Sequence, residues 1–379
     1  MKLRNRSIRN EKSEILKFVH PDEICYLFKV IDLRKAKVVP MKKIVALSCG
    51  RKNSVTESLI KEAAMGAEEF GIETEIIRAM SLKVLPCRGC SDRCRKSGKC
   101  WQKDDVDWIL HKTCVEDAAL IIGVPCYHVR ANGFFTCIHE RMNHIFQHNW
   151  EIMRKTRTGA IIGVGGGGYD SWTSLTLPMV DIFVQHTRKV VDRIQVNFCA
   201  VKQWNLWERT DMTPVTHKVR ITDIPYEETW TVFGPQDDRI EFYRKALARA
   251  RDLGRNVARA MNMPIEDVEY MGERSGVECP VCHCNILHIH EDLPYVACPT
   301  CAIRGEIVVE NGKMKVQWNE ADAERPRFSL EADQHHVEWL GKHYFNNPQY
   351  FTAAAELTKE YKKYGKIIGP EGAVPEEEE

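Results

Sequence analysis

The sequence has no run of apolar residues near the ~18 needed to cross a bilayer. It also lacks a dominant charge: 54 basic against 53 acidic residues leave a formal net charge of +1. The first absence excludes a helical membrane span, and the second removes the electrostatic basis for nucleic-acid or anionic-membrane binding. The opening segment, MKLRNRSIRNEKSEILKF, is basic but carries neither an apolar core nor a small-residue cleavage site, so a cytoplasmic location is expected. There is no internal repeat, no HExxH pair and no acid–base or nucleophile constellation, so no catalytic residue is named. What is present is ordinary globular material, 379 residues at 44% hydrophobic and 28% charged, enough for two or three domains. Cysteine is the exception, at fifteen residues. In a reducing compartment, clustered cysteines ligate metal or do redox work.

Residues 1–40 read as an N-terminal extension. From KKIVALSCG onward, buried apolar runs alternate with helical periods: ESLIKEAAMGAEEFG, IETEIIRA, AALIIGVP, CIHERMNHIFQHNW, TGAIIGVGGGG, SLTLPMVDIFVQHT, RIQVNFCAV and the long helix of 237–262. This βαβ alternation predicts a doubly wound parallel α/β sheet over residues 41–263. A small module with β-like pieces follows at 277–318, then a polar, partly helical tail at 319–379.

Ligands of open α/β sheets sit at the carboxyl ends of the strands. The first such loop, SCGRKNSVT, has neither GxxxxGK[ST] nor GxGxxG. It does bring hydroxyls, two cations and a helix N-terminus together, which suits a phosphate; a plain capped loop is the alternative. The loops VPCYHVRANG and GGGGYDSW could cradle a flat ring, since glycine lets backbone approach and Tyr169 could cover it.

These stretches, with LPCRGCSDRCRKSGKCWQKDD, resemble the iron–sulfur flavoprotein branch of the NADPH-dependent FMN reductase superfamily, whose fold is flavodoxin-like. The resemblance implies FMN, with its phosphate on Ser48, Arg51, Asn53, Ser54 and Thr56. It implies an isoalloxazine held by Pro125, Cys126, Tyr127 and His128 and by Gly165, Gly166, Gly167 and Tyr169. Two departures stand out. Leu47-Ser48-Cys49-Gly50 replaces the small-Gly-Ser-Pro that precedes the family's arginine, and the middle gap of the cysteine motif has three residues instead of two. Asp104 and Asp105 match a family pair that opens the next helix, and the plainer reading is an N-terminal cap.

Cys87, Cys90, Cys94 and Cys100 follow Cys-x2-Cys-x3-Cys-x5-Cys. Four thiolates turned toward one point suit a 4Fe–4S cluster, and the basic residues between them would offset its charge. Structural zinc, or no metal, are the alternatives. Cys279, Cys282, Cys298 and Cys301 form two Cys-Pro-x-Cys knuckles, the pattern of a zinc ribbon or of a rubredoxin-like single iron. His283 and Cys284 stand close enough to confuse the ligand count. Cys137, His139, His144 and His148 read as packing residues before metal ligands. Trp204, Trp207 and Trp230 read as core or interface aromatics.

The expectation is a redox flavoprotein in which the cluster exchanges electrons with FMN. Its partners would be a one-electron carrier such as ferredoxin, NAD(P)H, or both, and the chain would be a homo-oligomer. The alternatives are an NAD(P)H-dependent FMN, quinone or small-substrate reductase with structural metal only, and a zinc-ribbon binding module on a degenerate flavodoxin-like scaffold.

Overall fold

The structure, a computed structural model, describes residues 42–146, 149–165, 173–197, 200–201, 229–230, 236–345, 356–359, 361, 368–369 and 372–373. The N-terminal extension lies outside the described residues. Residues Lys42–Glu379 form one compact unit.

Five parallel strands build the central sheet: β1 (Lys43–Ser48), β2 (Glu73–Arg78), β3 (Ala119–Tyr127), β5 (Thr158–Gly165) and β6 (Lys189–Asn197), in the order β2-β1-β3-β5-β6. A short β4 (Arg130–Ala131) pairs antiparallel with the end of β3. This is the flavodoxin-like order, whose direction reverses between β1 and β3. The continuous apolar runs have a simple cause: both faces of the sheet are covered. Val45, Leu47, Leu120, Ile122 and Ile161 point to one core, and Ile44, Ala46, Ile121, Ala160 and Ile162 to the other.

Helices α1 (Val55–Glu68) and α7 (Gln236–Met261) cover the second core through Leu59, Ile60, Ala63, Leu253 and Val257. The first core is closed by α3 (Val106–Leu110), α4 (Gly133–His139), α5 (Asn143–Phe146) and α6 (Thr176–Gln185). A further helix, α2 (Ser91–Ser97), lies in the cysteine loop. CIHERMNHIFQHNW, expected as one helix, is broken at a turn between α4 and α5, where Arg141 and Met142 are both buried. The turn sends the Arg141 guanidinium inward to Asp104, and a continuous helix would not.

The module after Pro264 is a four-stranded antiparallel sheet of β7 (His288–Ile289), β8 (Val296–Ala297), β9 (Arg304–Glu310) and β10 (Lys313–Trp318). Asn311 and Gly312, at φ 52° and 72°, make the two-residue turn between β9 and β10, the I′ geometry that Asn-Gly favours. In the tail, α8 (Glu320–Glu324) and α9 (Leu330–Leu340) are capped by Asn319 and Ser329.

Candidate functional site

The strand register brings the carboxyl ends of three strands, each leading into a predicted loop, side by side. Ser48 pairs with Gly123 and Pro125 with Val164, so the ends of β1, β3 and β5 open onto one crevice at the reversal of strand order.

In the first loop Ser48 is fully buried, and its hydroxyl has no partner among the described residues. A Cβ on Gly50 would lie 2.7 Å from Ser54 Oγ and 2.8 Å from Thr56 Cβ, so only glycine fits there. Ser54 Oγ accepts from the Glu57 N–H at 3.4 Å and caps α1. Glu57, with no side-chain exposure, accepts from the Asn53 N–H at 3.1 Å, from Arg78 Nη2 at 2.8 Å and from Arg78 Nε at 3.0 Å. Arg78, with help from Lys61, holds the Glu57 carboxyl at about 2. Asn53 sits in the left-handed region at φ 57°. Thr56 is buried, while Arg51 and Lys52 stand exposed at the rim. Sequence reasoning missed Glu57, although Ser54-Val55-Thr56-Glu57 is a capping-box pattern that signals it.

The second loop is a tight hairpin, with Cys126 opposite Ala131 and Tyr127 opposite Arg130. His128 and Val129 occupy its tip at φ 49° and 73°. A β-branched residue there is strained, and the hydrogen bond from the Leu175 N–H to Val129 O (3.2 Å) helps to hold it. Pro125 is buried, Cys126 half-buried with its thiol pushed up by burial, and Tyr127 and His128 exposed. Asn132, also missed from sequence, joins the two loops. Its Nδ2 donates to Cys49 O at 2.8 Å, and its Oδ1 accepts from the Phe135 N–H at 3.2 Å, capping α4. Of the glycine loop, Gly165 ends β5 and is buried; Gly166, Gly167 and Tyr169 lie outside the described residues. An orphan buried hydroxyl, a glycine cradle and a helix N-terminus at the switch point fit a phosphate-bearing flavin.

The cysteine loop leaves β2 at the same edge of the sheet. Gly89 (φ 70°) and Gly98 (φ 66°) make the turns on either side of α2. Cys87 and Cys90 are exposed, Cys94 and Cys100 half-buried. Among the described residues these four thiols are not gathered into one metal-sized group as the ribbon's are. Four cysteine thiols on one loop are the donor set of a 4Fe–4S cluster or of a zinc ion. The aspartate pair needs correction, because its main work is not capping. Asp105 Oδ2 accepts from the Lys83 N–H (2.8 Å) and Asp104 Oδ2 from the Leu85 N–H (2.9 Å), which zips the loop shut at its base. Asp105 stands at the N-cap of α3 without a side-chain capping bond, and Asp104 Oδ1 reaches the Val106 N–H only at 3.4 Å.

In the ribbon the four predicted thiols do converge. Cys279, Cys282, Cys298 and Cys301 are buried with all ligand atoms within 4.8 Å, and the Cys282 and Cys298 sulfurs lie 3.4 Å apart. The knuckles match each other. The His283 N–H bonds Cys279 O (2.9 Å) and the Ala302 N–H bonds Cys298 O (2.8 Å), with His283 at φ 58° and Ala302 at φ 61°. Hydrogen bonds from Cys279 and Cys282 drive the Cys298 thiol far down. His283 instead stacks on Tyr270 at 3.5 Å and contacts Glu278, and the Cys284 sulfur accepts from the Ile286 N–H, so neither joins the set of four. Cys301 Sγ lies 3.3 Å from Gln185 Oε1, while Gln185 Nε2 is buried without a partner. Turning that amide over would present an N–H to a metal-bound thiolate, which is the donor such a sulfur requires.

The remaining histidines do not gather a metal among the described residues. His139 packs on Phe135 and Phe183 and is pushed down to about 4 by burial, and His144 bonds Asp107. His148, Trp204 and Trp207 lie outside the described residues. A cavity of about 1100 Å³ lies between the ribbon and α9, lined by His186, Arg304, Phe328 and His336, away from the strand-end loops.

Residues 42–201 match the family model described as NADPH-dependent FMN reductase. Over 87 residues the chain is 40% identical to an iron–sulfur flavoprotein of Methanocaldococcus jannaschii, covering 23% of this chain and 44% of that one. Over 123 residues it is 27% identical to an iron–sulfur flavoprotein of Archaeoglobus fulgidus, covering 32% and 62%. The chain thus spans about half the length of these curated relatives. A solved structure titled flavone reductase shares the fold at a TM-score of 0.57 and 22% identity, over 86% of this chain and 100% of that one. No described helix is long and apolar enough to cross a membrane.

Proposed function

From a domain of the NADPH-dependent FMN reductase family at residues 42–201, we infer that this chain is an FMN-dependent oxidoreductase that exchanges single electrons through a 4Fe–4S cluster. The observation that carries the reading is the buried, unpartnered Ser48 hydroxyl at the strand-order reversal, in a loop where Gly50 admits no side chain. Ser48, Ser54 and Thr56 would offer hydroxyls to the FMN phosphate, Asn53 its side-chain amide and Arg51 its charge. Glu57 lies next to this phosphate site, and Arg78 neutralises it so that the loop does not repel an anion. The hairpin of Pro125 to His128 and the loop of Gly165 to Tyr169 would bracket the ring, with Asn132 fixing the distance between the first two loops. Bound FMN converts between one- and two-electron chemistry.

Cys87, Cys90, Cys94 and Cys100 would ligate the cluster; the donor set and the iron–sulfur flavoprotein relatives support this. The ribbon would hold structural zinc, since its four thiols have the spacing of one tetrahedral ion. Its contact at Gln185 lies at the far end of α6 from the flavin loops, about 15 Å away at 1.5 Å per residue. Partners would be an electron carrier of the ferredoxin class or NAD(P)H, in the cytoplasm. A homo-oligomer would let a neighbour's flavin meet the cluster.

A second reading, a small-substrate reductase with only structural metal, is favoured by the fold shared with the flavone reductase over most of this chain. One experiment separates the two: anaerobic purification with flavin, iron, sulfide and zinc analysis. The expected result is about one FMN, about four irons with matching sulfide, and one zinc per chain. FMN without iron leaves the plain reductase. Protein with neither FMN nor iron returns the binding-module alternative.

A further inference from the structure

We propose that Arg141 is a positioning residue for the cysteine loop, a buried cation that closes the loop and raises the reduction potential of its cluster through a hydrogen bond to the Cys100 sulfur. The proposal rests on the cluster reading above.

Arg141 stands in the turn that breaks the predicted helix between α4 and α5, and its side chain is 1% exposed. A guanidinium so far from water needs its charge met; its Nη groups are paired, while Nε is buried without a partner among the described residues. Asp104, itself without side-chain exposure, meets the charge through Nη1. The same Nη1 lies 3.3 Å from Leu85 O, at the opposite end of the loop. These two contacts are all that loop closure requires.

The third contact has a different meaning. Nη2 donates to Cys100 Sγ at 3.0 Å. A neutral thiol is a weak acceptor, and a thiolate or a metal-bound sulfur is a strong one. The cation is therefore aimed at the atom that carries the charge of a bound cluster. Such a donor stabilises the more negative, reduced form and raises the potential. Cys87 and Cys90, by contrast, are exposed and can draw their donors from water. Forty-one residues separate the pair in sequence, so no local motif announces it.

The test compares Arg141→Gln and Arg141→Lys with the wild type, all purified anaerobically. Cluster potential comes from titration followed by electron paramagnetic resonance, and the iron–cysteine stretching bands from resonance Raman. Flavin content and thermal unfolding are the folding controls. The glutamine variant is expected to shift the reduction equilibrium toward the oxidised cluster about tenfold, which is 59 mV for a one-electron couple, with FMN retained. The lysine variant, which keeps the charge but not the fork geometry, should shift in the same sense by less. Iron lost from the glutamine variant but kept by the lysine variant, with FMN in both, supports the same role read as occupancy. If the glutamine variant does not fold, the lysine variant decides. A potential and Raman bands equal to wild type, or a higher potential, in any folded and iron-loaded variant overturns the proposal and leaves Arg141 as a loop closure only. A wild type without iron is a different failure, because it removes the cluster reading itself.

Discussion

Glu57 has a place in the first loop that a list of phosphate-friendly side chains does not show. Its carboxylate is shut from water, yet two of its partners are partly exposed, Arg78 at 38% and Lys61 at 44%. Arg78 holds it at about 2 against an ordinary 4.5. A depressed acid stabilises the fold fully above its unfolded value and loses that contribution as pH falls through its folded one. The Glu57 contribution is therefore complete above about pH 4.5 and fades toward about pH 2. Solvent screening of the partners reduces it to on the order of 1–2 kcal/mol. Urea unfolding of wild type and Glu57→Gln should show a stability gap that narrows across that window; a gap independent of pH would show that the ion pairs contribute little. The hydroxyls and cations of this loop were readable as residues. The orphaned state of Ser48 was not, because burial is a property of the packed crevice.

Among the elements, α1 and α7 cross with backbones in contact, and two glycines make that possible. A Cβ on Gly254 would lie 1.8 Å from Ala63 O, and one on Gly66 would lie 2.1 Å from Arg251 O. In an isolated helix Gly254→Ala would gain about 1 kcal/mol from propensity. Here the clash is with backbone, which cannot rotate away, so overpacking outweighs propensity and the net loss should be about 1–3 kcal/mol. Thermal unfolding is the measurement. Gly133→Ala, with open space around its Cβ, is the control expected to stay near neutral, and equal shifts in the two variants would refute the crossing argument. The glycine in the α7 pattern was visible in sequence, but its partner across the molecule was not. The broken helix at Arg141 has the same origin, since its periodicity continues while a distant carboxylate pulls the chain aside.

At the scale of the whole molecule, the ribbon meets the α/β domain through Cys301 on Gln185, and the flanking segments add Tyr270 stacked on His283 and Phe328 on His186 at 4.2 Å. These contacts gather away from the strand-end loops. Chelation, or Cys279→Ser, should therefore raise hydrogen exchange across residues 277–318 while the flavin spectrum persists, because a small β module of this kind depends on its metal to fold. Loss of FMN along with the ribbon would instead mean that the docking contacts sustain the flavin crevice.

The sequence alone determined the strand-and-helix alternation, the β-like pieces of the small module and the ribbon's knuckles. Each is written in neighbouring residues: apolar runs, turn chemistry and ligand spacing act over a few positions. It also located the strand-end loops, because the end of a buried run marks the end of a strand. Tertiary structure decided which groups meet across the chain: Asn132 with Cys49, Arg78 with Glu57, Arg141 with Cys100 and Asp104. Those pairings depend on burial and charge compensation between segments 21 to 83 residues apart. A buried charge or polar group must find a partner wherever the packed chain brings one, and local spacing carries no record of where that will be.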